Sequence, residues 1–449
     1  MKYKQLKNYK TFLAFFIPMI CGITFAKSNN TTNYFAQNPL GNPVTGNSGE
    51  YYNGVTYVTY QGPLEDAYVA AYHHETKTWV GPFKAGTSLM GKDTSRKIDN
   101  HGKPTLVIDE KGYIHIVFGG HGGTPELGKN PLGNYHYGKQ IHVVSKKPLD
   151  ISSWEVLDNI SPFGTYSQFI KMDNGDLYLF YRHGAHRSDR VYQKSVDNGR
   201  TFSAPVSYLK TKQTKGTKEN PIIHDSWYAH HAKGQNNDVI VSYNYHVCKG
   251  PNHDGERHNV YYMRFDTDAN EWYNVKGGKL TLPITKEQAD SSTLVYNTGD
   301  MWTHNGIARL DTKGNPHITS YEGEHEGKTH GGAKSIIHYY WSDTEWVRSK
   351  SKGLPIGASG EMQIISSNEI NMLLSYKEGN VGEVALWKST DRGESFIKNK
   401  IFNSEKGSNF DLSNFIINAK PEAQIIVAAK NNKANGKVYL VGKNGFIKR

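Results

Sequence analysis

Apolar and polar residues alternate along this chain in short runs: Val55–Tyr60, Tyr113–Phe118, Leu177–Tyr181, Val239–Tyr245, Ile370–Tyr376 and Lys437–Val441. A period of two sends successive side chains to opposite faces, and Gly, Asn or Asp bounds each run. The pattern therefore predicts antiparallel strands joined by hairpins. No long stretch carries the helical period.

The strands recur as copies. Val107-Ile-Asp-Glu-Lys-Gly-Tyr-Ile-His115 is echoed by Leu310-Asp-Thr-Lys-Gly-Asn-Pro-His317, and more briefly by Lys171-Met-Asp-Asn-Gly-Asp-Leu-Tyr178. Ser195-Val-Asp-Asn-Gly-Arg-Thr-Phe202 and Ser389-Thr-Asp-Arg-Gly-Glu-Ser-Phe396 share the form Ser-x-Asp-x-Gly-x-Thr/Ser-Phe and look like Asp-boxes. In such a hairpin the aspartate caps the turn, glycine takes a positive φ and the aromatic anchors the unit, so these aspartates are structural. Units spaced roughly 50–65 residues apart indicate a propeller. The expected fold is all-β, a seven-bladed β-propeller with blades near 55–84, 104–154, 168–202, 220–272, 300–346, 357–396 and 409–445. Strands around Val438–Ile447 are expected to close the ring against N-terminal ones. No linker divides the chain, so residues 27–449 read as a single domain.

Residues 1–26 read as a secretory signal peptide. Lys2, Lys4, Lys7 and Lys10 precede an apolar stretch from Phe12 to Phe25, with Ala26 as the cleavage point. The stretch is too short for a mature membrane span, and the bulky Ile20 before Cys21 argues against lipidation. A secreted monomer, extracellular or periplasmic and free of the membrane, is expected. Without Cys21 the chain keeps one cysteine, Cys248, so no intramolecular disulfide forms. The formal charge of +11 becomes +7 without the four leader lysines. That excess, with Lys210, Lys212, Lys215 and Lys218 in one polar loop, suits an acidic polymer. No motif points to nucleic acid.

Twelve of the 20 histidines fall between His115 and His258, together with Arg182 and several tyrosines. A sialidase would need an arginine triad announced by Arg-Ile-Pro. No arginine precedes Arg96, and Arg-Ile-Pro does not occur. The His/Tyr/Arg set instead fits β-elimination at a uronic acid. There a cation neutralises the carboxylate, a base removes the C5 proton and an acid protonates the leaving oxygen at C4. Arginine supplies the permanent charge, and histidine and tyrosine move protons near neutral pH.

Six blocks then follow in order: Gly119-Gly-His121-Gly-Gly with His142, Thr165-Tyr166-Ser-Gln-Phe, Leu179-Phe-Tyr-Arg182-His-Gly-Ala-His186, His224-Asp-Ser-Trp-Tyr228-Ala-His-His, Ser242-Tyr-Asn-Tyr-His246-Val-Cys248 and Glu256-Arg-His258-Asn-Val-Tyr-Tyr262. This series resembles the propeller-type ulvan lyases of polysaccharide lyase families 24 and 25, within the BNR-repeat group. The resemblance is strongest over roughly residues 95–290. It implies that His121 is the base and Tyr166 the acid, the latter also a base for iduronate. It further implies that Arg182 and Tyr228 grip the uronate carboxylate with help from His142. The bland alternatives are a blade aromatic for each tyrosine and a salt bridge for Arg182.

A metal site is expected separately. His246 and Cys248, at i and i+2 of a strand, share a face, and a thiolate with imidazoles is a zinc-type set. His258 on the returning strand, or His253 in the intervening loop, would be the third ligand. The resemblance supplies His186 as the fourth, giving structural zinc. The expected substrate is thus a sulfated acidic polysaccharide, ulvan, cleaved at glucuronate or iduronate beside sulfated rhamnose. The competing readings are a propeller lyase or hydrolase of another acidic polysaccharide, and a carbohydrate-binding propeller without catalysis.

Overall fold

Each alternating run forms a strand: Val55–Gln61, Ile114–Phe118, Leu177–Arg182, Asp238–Lys249, Ile370–Glu378 and Lys437–Gly442. The computed structural model describes residues 31–37, 47–90, 99–214, 223–249, 256–323, 332–429 and 436–449. Signal residues 1–26, Lys215, Lys218 and His253 lie outside the described residues. Within Thr32–Arg449, one compact unit, the chain is a β-propeller of antiparallel sheets, and its one α-helix among the described residues spans three residues, Lys286–Gln288.

Among the described residues the strands form six hydrogen-bonded sheets, against the seven blades expected. Four are four-stranded: Thr105–Leu157, Thr165–Leu209, Trp302–Arg348 and Ser359–Lys406. The seven-stranded sheet gains short strands around Ile223–Asp266, among them Leu294–Tyr296. The nine-stranded one contains two antiparallel runs that meet at a single parallel pair, Glu50↔Ile417. That meeting is where the chain's two ends come together. Ala36 pairs with Val438, Gln37 with Lys437, and the backbones of Thr32 and Arg449 exchange hydrogen bonds. Closure leaves few free sheet edges.

Aromatic side chains fill the space between neighbouring sheets. Tyr178, Phe180, Tyr192 and Tyr208 meet Trp227, Tyr243, Tyr261, Phe265 and Trp272 in one buried cluster, with Tyr208 stacked on Trp272 at 5.1 Å. Both Asp-boxes behave as expected. Asp197 accepts from Ser195, Thr201 and the backbone N–H of Arg200 and Thr201, and Gly199 sits at φ 74°. Asp391 does the same with Ser389 and Ser395.

The copied Asp/His segments have a packing role. His115 bonds His142 at 3.0 Å and reaches Asp109, while His317 bonds His338 at 2.9 Å and lies near Asp311. A Cβ on Gly199 would lie 2.7 Å from His115, and one on Gly393 2.4 Å from His338. Each Asp-box turn therefore rests directly on a buried histidine pair.

Candidate active site

His121 stands at the tip of a loop that only glycine can build. Gly119, Gly120, Gly122 and Gly123 all take positive φ, and a Cβ on Gly120 or Gly122 would lie 2.6 Å or 2.5 Å from neighbouring backbone atoms. The loop is fixed to Tyr137 by reciprocal backbone bonds at His121. The His121 Nδ1 bonds Asp99 Oδ2 at 2.7 Å, and its ring stacks between His101 (3.7 Å) and His136 (4.6 Å). Burial is the main influence on this imidazole and lowers it to about 4, despite the carboxylate beside it. It is a neutral, proton-accepting ring at neutral pH.

Tyr166 follows from His101, whose ring lies 5.0 Å away and whose carbonyl accepts the Tyr166 N–H. It occupies a left-handed conformation, φ 58°, at a bulge between Thr165 and Gln168 in the inner strand Thr165–Lys171. A non-glycine residue held there is costly, and such strain gathers at functional sites. Its phenol is raised above the usual value, first by burial and then by Tyr228 at 5.7 Å, against the pull of three arginines.

Those arginines are Arg182, Arg190 and Arg257. Arg182, 1% exposed, lies 5.1 Å from the Tyr166 ring and 6.0 Å from the Tyr228 ring, and Arg190 lies 5.7 Å from both. Arg257 sits 3.8 Å over Tyr228 and donates to His304 Nδ1 at 2.6 Å. Burial acts to raise the Tyr228 phenol, but Arg257, Arg182 and Arg190 outweigh it and draw it down to about 8. Among the described residues no carboxylate pairs with any of the three. Buried Nη1 atoms of Arg182 and Arg190 make no hydrogen bond. Two buried arginines and a third, half-buried one without an anion are unfavourable unless a ligand brings one. A cavity of about 460 Å³ opens beside Arg257, lined by His230, His304, Tyr321 and Lys334 among others.

The structure thus brings together His121, Tyr166, Arg182 and Tyr228, but not His142. His142 is fully buried and both its ring nitrogens are used, by His115 and by Asn159 Oδ1 at 2.8 Å. Asn159 in turn donates to the Gly199 and Arg200 carbonyls of the Asp-box. His142 is therefore a packing residue, and the expectation that it assists at the substrate carboxylate is corrected. Asp99, His101, Arg190 and Arg257 escaped the sequence reading. Only Arg257 carried a signal, since it lies inside the block Glu256–Tyr262.

Residues 131–352 match the family described as BNR repeat-containing family member. An ulvan lyase of Nonlabens ulvanivorans is 52% identical, covering 94% of this chain and 91% of its own. An ulvan lyase of family PL25 from Pseudoalteromonas sp. (strain PLSV) is 48% identical, covering 98% of this chain and 95% of its own. This chain belongs to the PL25 ulvan lyases. A solved PL25 ulvan lyase bound to -[GlcA(1-4)Rha3S]- matches it with a TM-score of 0.88 and 48% identity, over 94% of this chain and 98% of that one. Membership makes the chain a polysaccharide lyase and decides between the two lyase families that the sequence blocks left open.

In this PL25 lyase, the residues expected to hold zinc are partly placed. The rings of His186 and His246 are 4.3 Å apart, and His246 is fully buried. Across the ladder His246 faces Arg257, and His258 faces Tyr245. His258 Nε2 bonds Glu256 at 2.8 Å, while its buried Nδ1 makes no hydrogen bond. A carboxylate orienting one ring nitrogen and leaving the other open is the usual arrangement behind a metal-binding histidine. The Cys248 side chain lies outside the described residues. Asp99, His101 and His121 also bring ligand atoms within 4.8 Å of one another. Hydrogen bonds from both rings to the carboxylate account for that convergence.

Proposed function

We propose that this chain is an exported enzyme that cleaves ulvan by β-elimination at the uronate beside sulfated rhamnose. The observation that carries this reading is the group of three arginines, Arg182 and Arg190 buried and Arg257 half-buried, that pair with no carboxylate among the described residues, against two tyrosines and a neutral histidine. The uronate carboxylate fits between Arg182 and Tyr228, with Arg190 and Arg257 behind them, and this pairing makes the C5 proton more acidic. The His121 Nε2 takes that proton, the C5–H electrons form the C4=C5 bond, and the C4–O bond breaks. Tyr166, whose phenol holds its proton firmly, gives it to the departing oxygen. Where the uronate is iduronate, with C5 of opposite configuration, Tyr166 serves as the base only in its phenolate form, taking the C5 proton and passing that same proton to the departing oxygen.

Mature protein incubated with ulvan is expected to raise the ultraviolet absorbance that the conjugated C4–C5 double bond produces. His121→Ala and Tyr166→Phe each lower that rate by about 10²–10⁴-fold. New reducing ends without absorbance would mean hydrolysis and overturn the roles, and binding without either signal would favour a carbohydrate-binding propeller.

The signal peptide belongs to the same proposal: cleavage after Ala26 releases a secreted, monomeric enzyme, checked by N-terminal sequencing and by light scattering of the secreted form. Structural zinc does too. His186, His246, Cys248 and His258 would hold it, and it would brace the strands that carry Tyr228 and Arg257. Elemental analysis should find about one zinc per chain in the wild type and none in His246→Ala. Chelation that strips the metal without lowering the unfolding temperature would refute the bracing role.

A further inference from the structure

We infer that Asp99 is a positioning residue of the lyase reaction, fixing which nitrogen of His121 carries the proton; this rests on the reading of His121 as the base. Asp99 is buried, its side chain 6% exposed, and the end of the first blade holds its backbone. Its N–H donates to Glu65 Oε1 at 2.7 Å, and its carbonyl accepts from Gln61 at 2.9 Å. The two carboxylate oxygens are divided. Oδ1 accepts from the His101 backbone N–H (2.7 Å) and from His101 Nδ1 (2.5 Å). Oδ2 accepts from His121 Nδ1 (2.7 Å) and from the Tyr137 hydroxyl.

An ionised carboxylate only accepts hydrogen bonds, so both rings must carry their protons on Nδ1 and leave Nε2 with a lone pair. Burial acts to raise the Asp99 carboxyl, but the hydrogen bonds donated by His101 and His121 outweigh it and hold the carboxyl well below the usual carboxylate range. It stays charged throughout the neutral range and stabilises the imidazolium that forms once His121 has taken the C5 proton. His101, stacked on His121 and touching Tyr166, keeps the base and the acid in register.

Asp99→Asn distinguishes this role from simple tethering. The His101 backbone N–H can only donate, so the amide oxygen must take the Oδ1 place. The amide NH₂ then faces His121 Nδ1, which has to become an acceptor, and the His121 proton moves to Nε2. The fold keeps its hydrogen bonds while the base is in the wrong tautomer. We expect kcat to fall by about 10²–10⁴-fold with KM changed by less than about threefold.

The experiment is nitrogen-15 NMR of histidine-labelled protein, read beside turnover of ulvan. His121 should be Nδ1-protonated in the wild type and Nε2-protonated in Asp99→Asn. A wild-type His121 protonated on Nε2 overturns the proposal without any variant. So does an Asp99→Asn enzyme within about threefold of wild-type kcat. A wild type that makes no unsaturated uronate would instead sink the lyase chemistry on which the inference rests.

Discussion

His121 shows how a residue's chemistry is set by its neighbours. Its ring faces Asp99, His101, His136, Tyr137 and, farther off, the Arg182 charge. Burial lowers its affinity for a proton, His101 and Arg182 lower it further, and Asp99 acts the other way. The result, about 4, has a kinetic consequence: a base must be unprotonated, so activity is lost only as pH falls through that value. The acid limb of kcat/KM should lie near pH 4, well below the 6.5 of an unperturbed histidine. A limb centred near 6.5 would show that another group, or a solvated His121, is the base. Tyr166 and Tyr228 make the same point by contrast: of two phenols 5.7 Å apart, burial raises Tyr166, while Arg257, 3.8 Å over the other ring, outweighs burial and lowers Tyr228.

At the scale of elements, the recurring unit is an Asp-box turn seated on a buried histidine pair. Asp197 organises its own hairpin through bonds to Ser195, Arg200 and Thr201, and Asn159 ties that hairpin to His142. Removing a turn-capping aspartate commonly costs about 0.5–2 kcal/mol. Asp197→Ala should therefore lower the denaturant midpoint while leaving kcat within about twofold at temperatures where the fold is intact. His142→Ala should lower the midpoint too, because it empties a buried site and strands His115. Its KM for ulvan should stay within about twofold. A large rise in KM would restore His142 to the substrate site.

For the whole molecule, buried histidines make stability depend on pH. His142 is lowered to about 3, and His183 and His317 to about 4, each mainly by burial. Above about pH 6.5 these groups are neutral in both the folded and the unfolded chain and contribute nothing to the slope. Below it the unfolded chain binds protons that the folded chain refuses. Each such histidine then costs about 1.4 kcal/mol of stability per pH unit, levelling off only near its folded value. Urea unfolding should show a clearly lower midpoint at pH 5 than at pH 7.5, with little change between 7.5 and 8.5. A midpoint flat from 7.5 to 5 would mean that these rings are hydrated. Closure through Ala36–Val438 and Thr32–Arg449 makes this loss cooperative, since opening one sheet frees its neighbours.

By itself the sequence determined the strands, the propeller and the structural duty of both Asp-boxes, and it singled out four residues, His121, Tyr166, Arg182 and Tyr228, that the fold gathers in one place. Those features are local: alternation of two, a turn residue at a fixed offset, a histidine between glycine pairs, a tyrosine or arginine inside a distinctive block. Tertiary structure decided which charged and aromatic groups share one space. Asp99 reaches His121 across 22 positions, and Arg190 and Arg257 arrive on strands of different sheets. His142 sits between Ile141 and Val143 on a strand that turns it into a blade interface rather than towards the substrate. Among the described residues seven expected units became six hydrogen-bonded sheets for the same reason: the joining of first and last runs at Glu50 and Ile417 is a contact between residues far apart in the chain. Periodicity reports which face a side chain takes within its strand. What that face meets is settled only when the sheets pack and the ring closes.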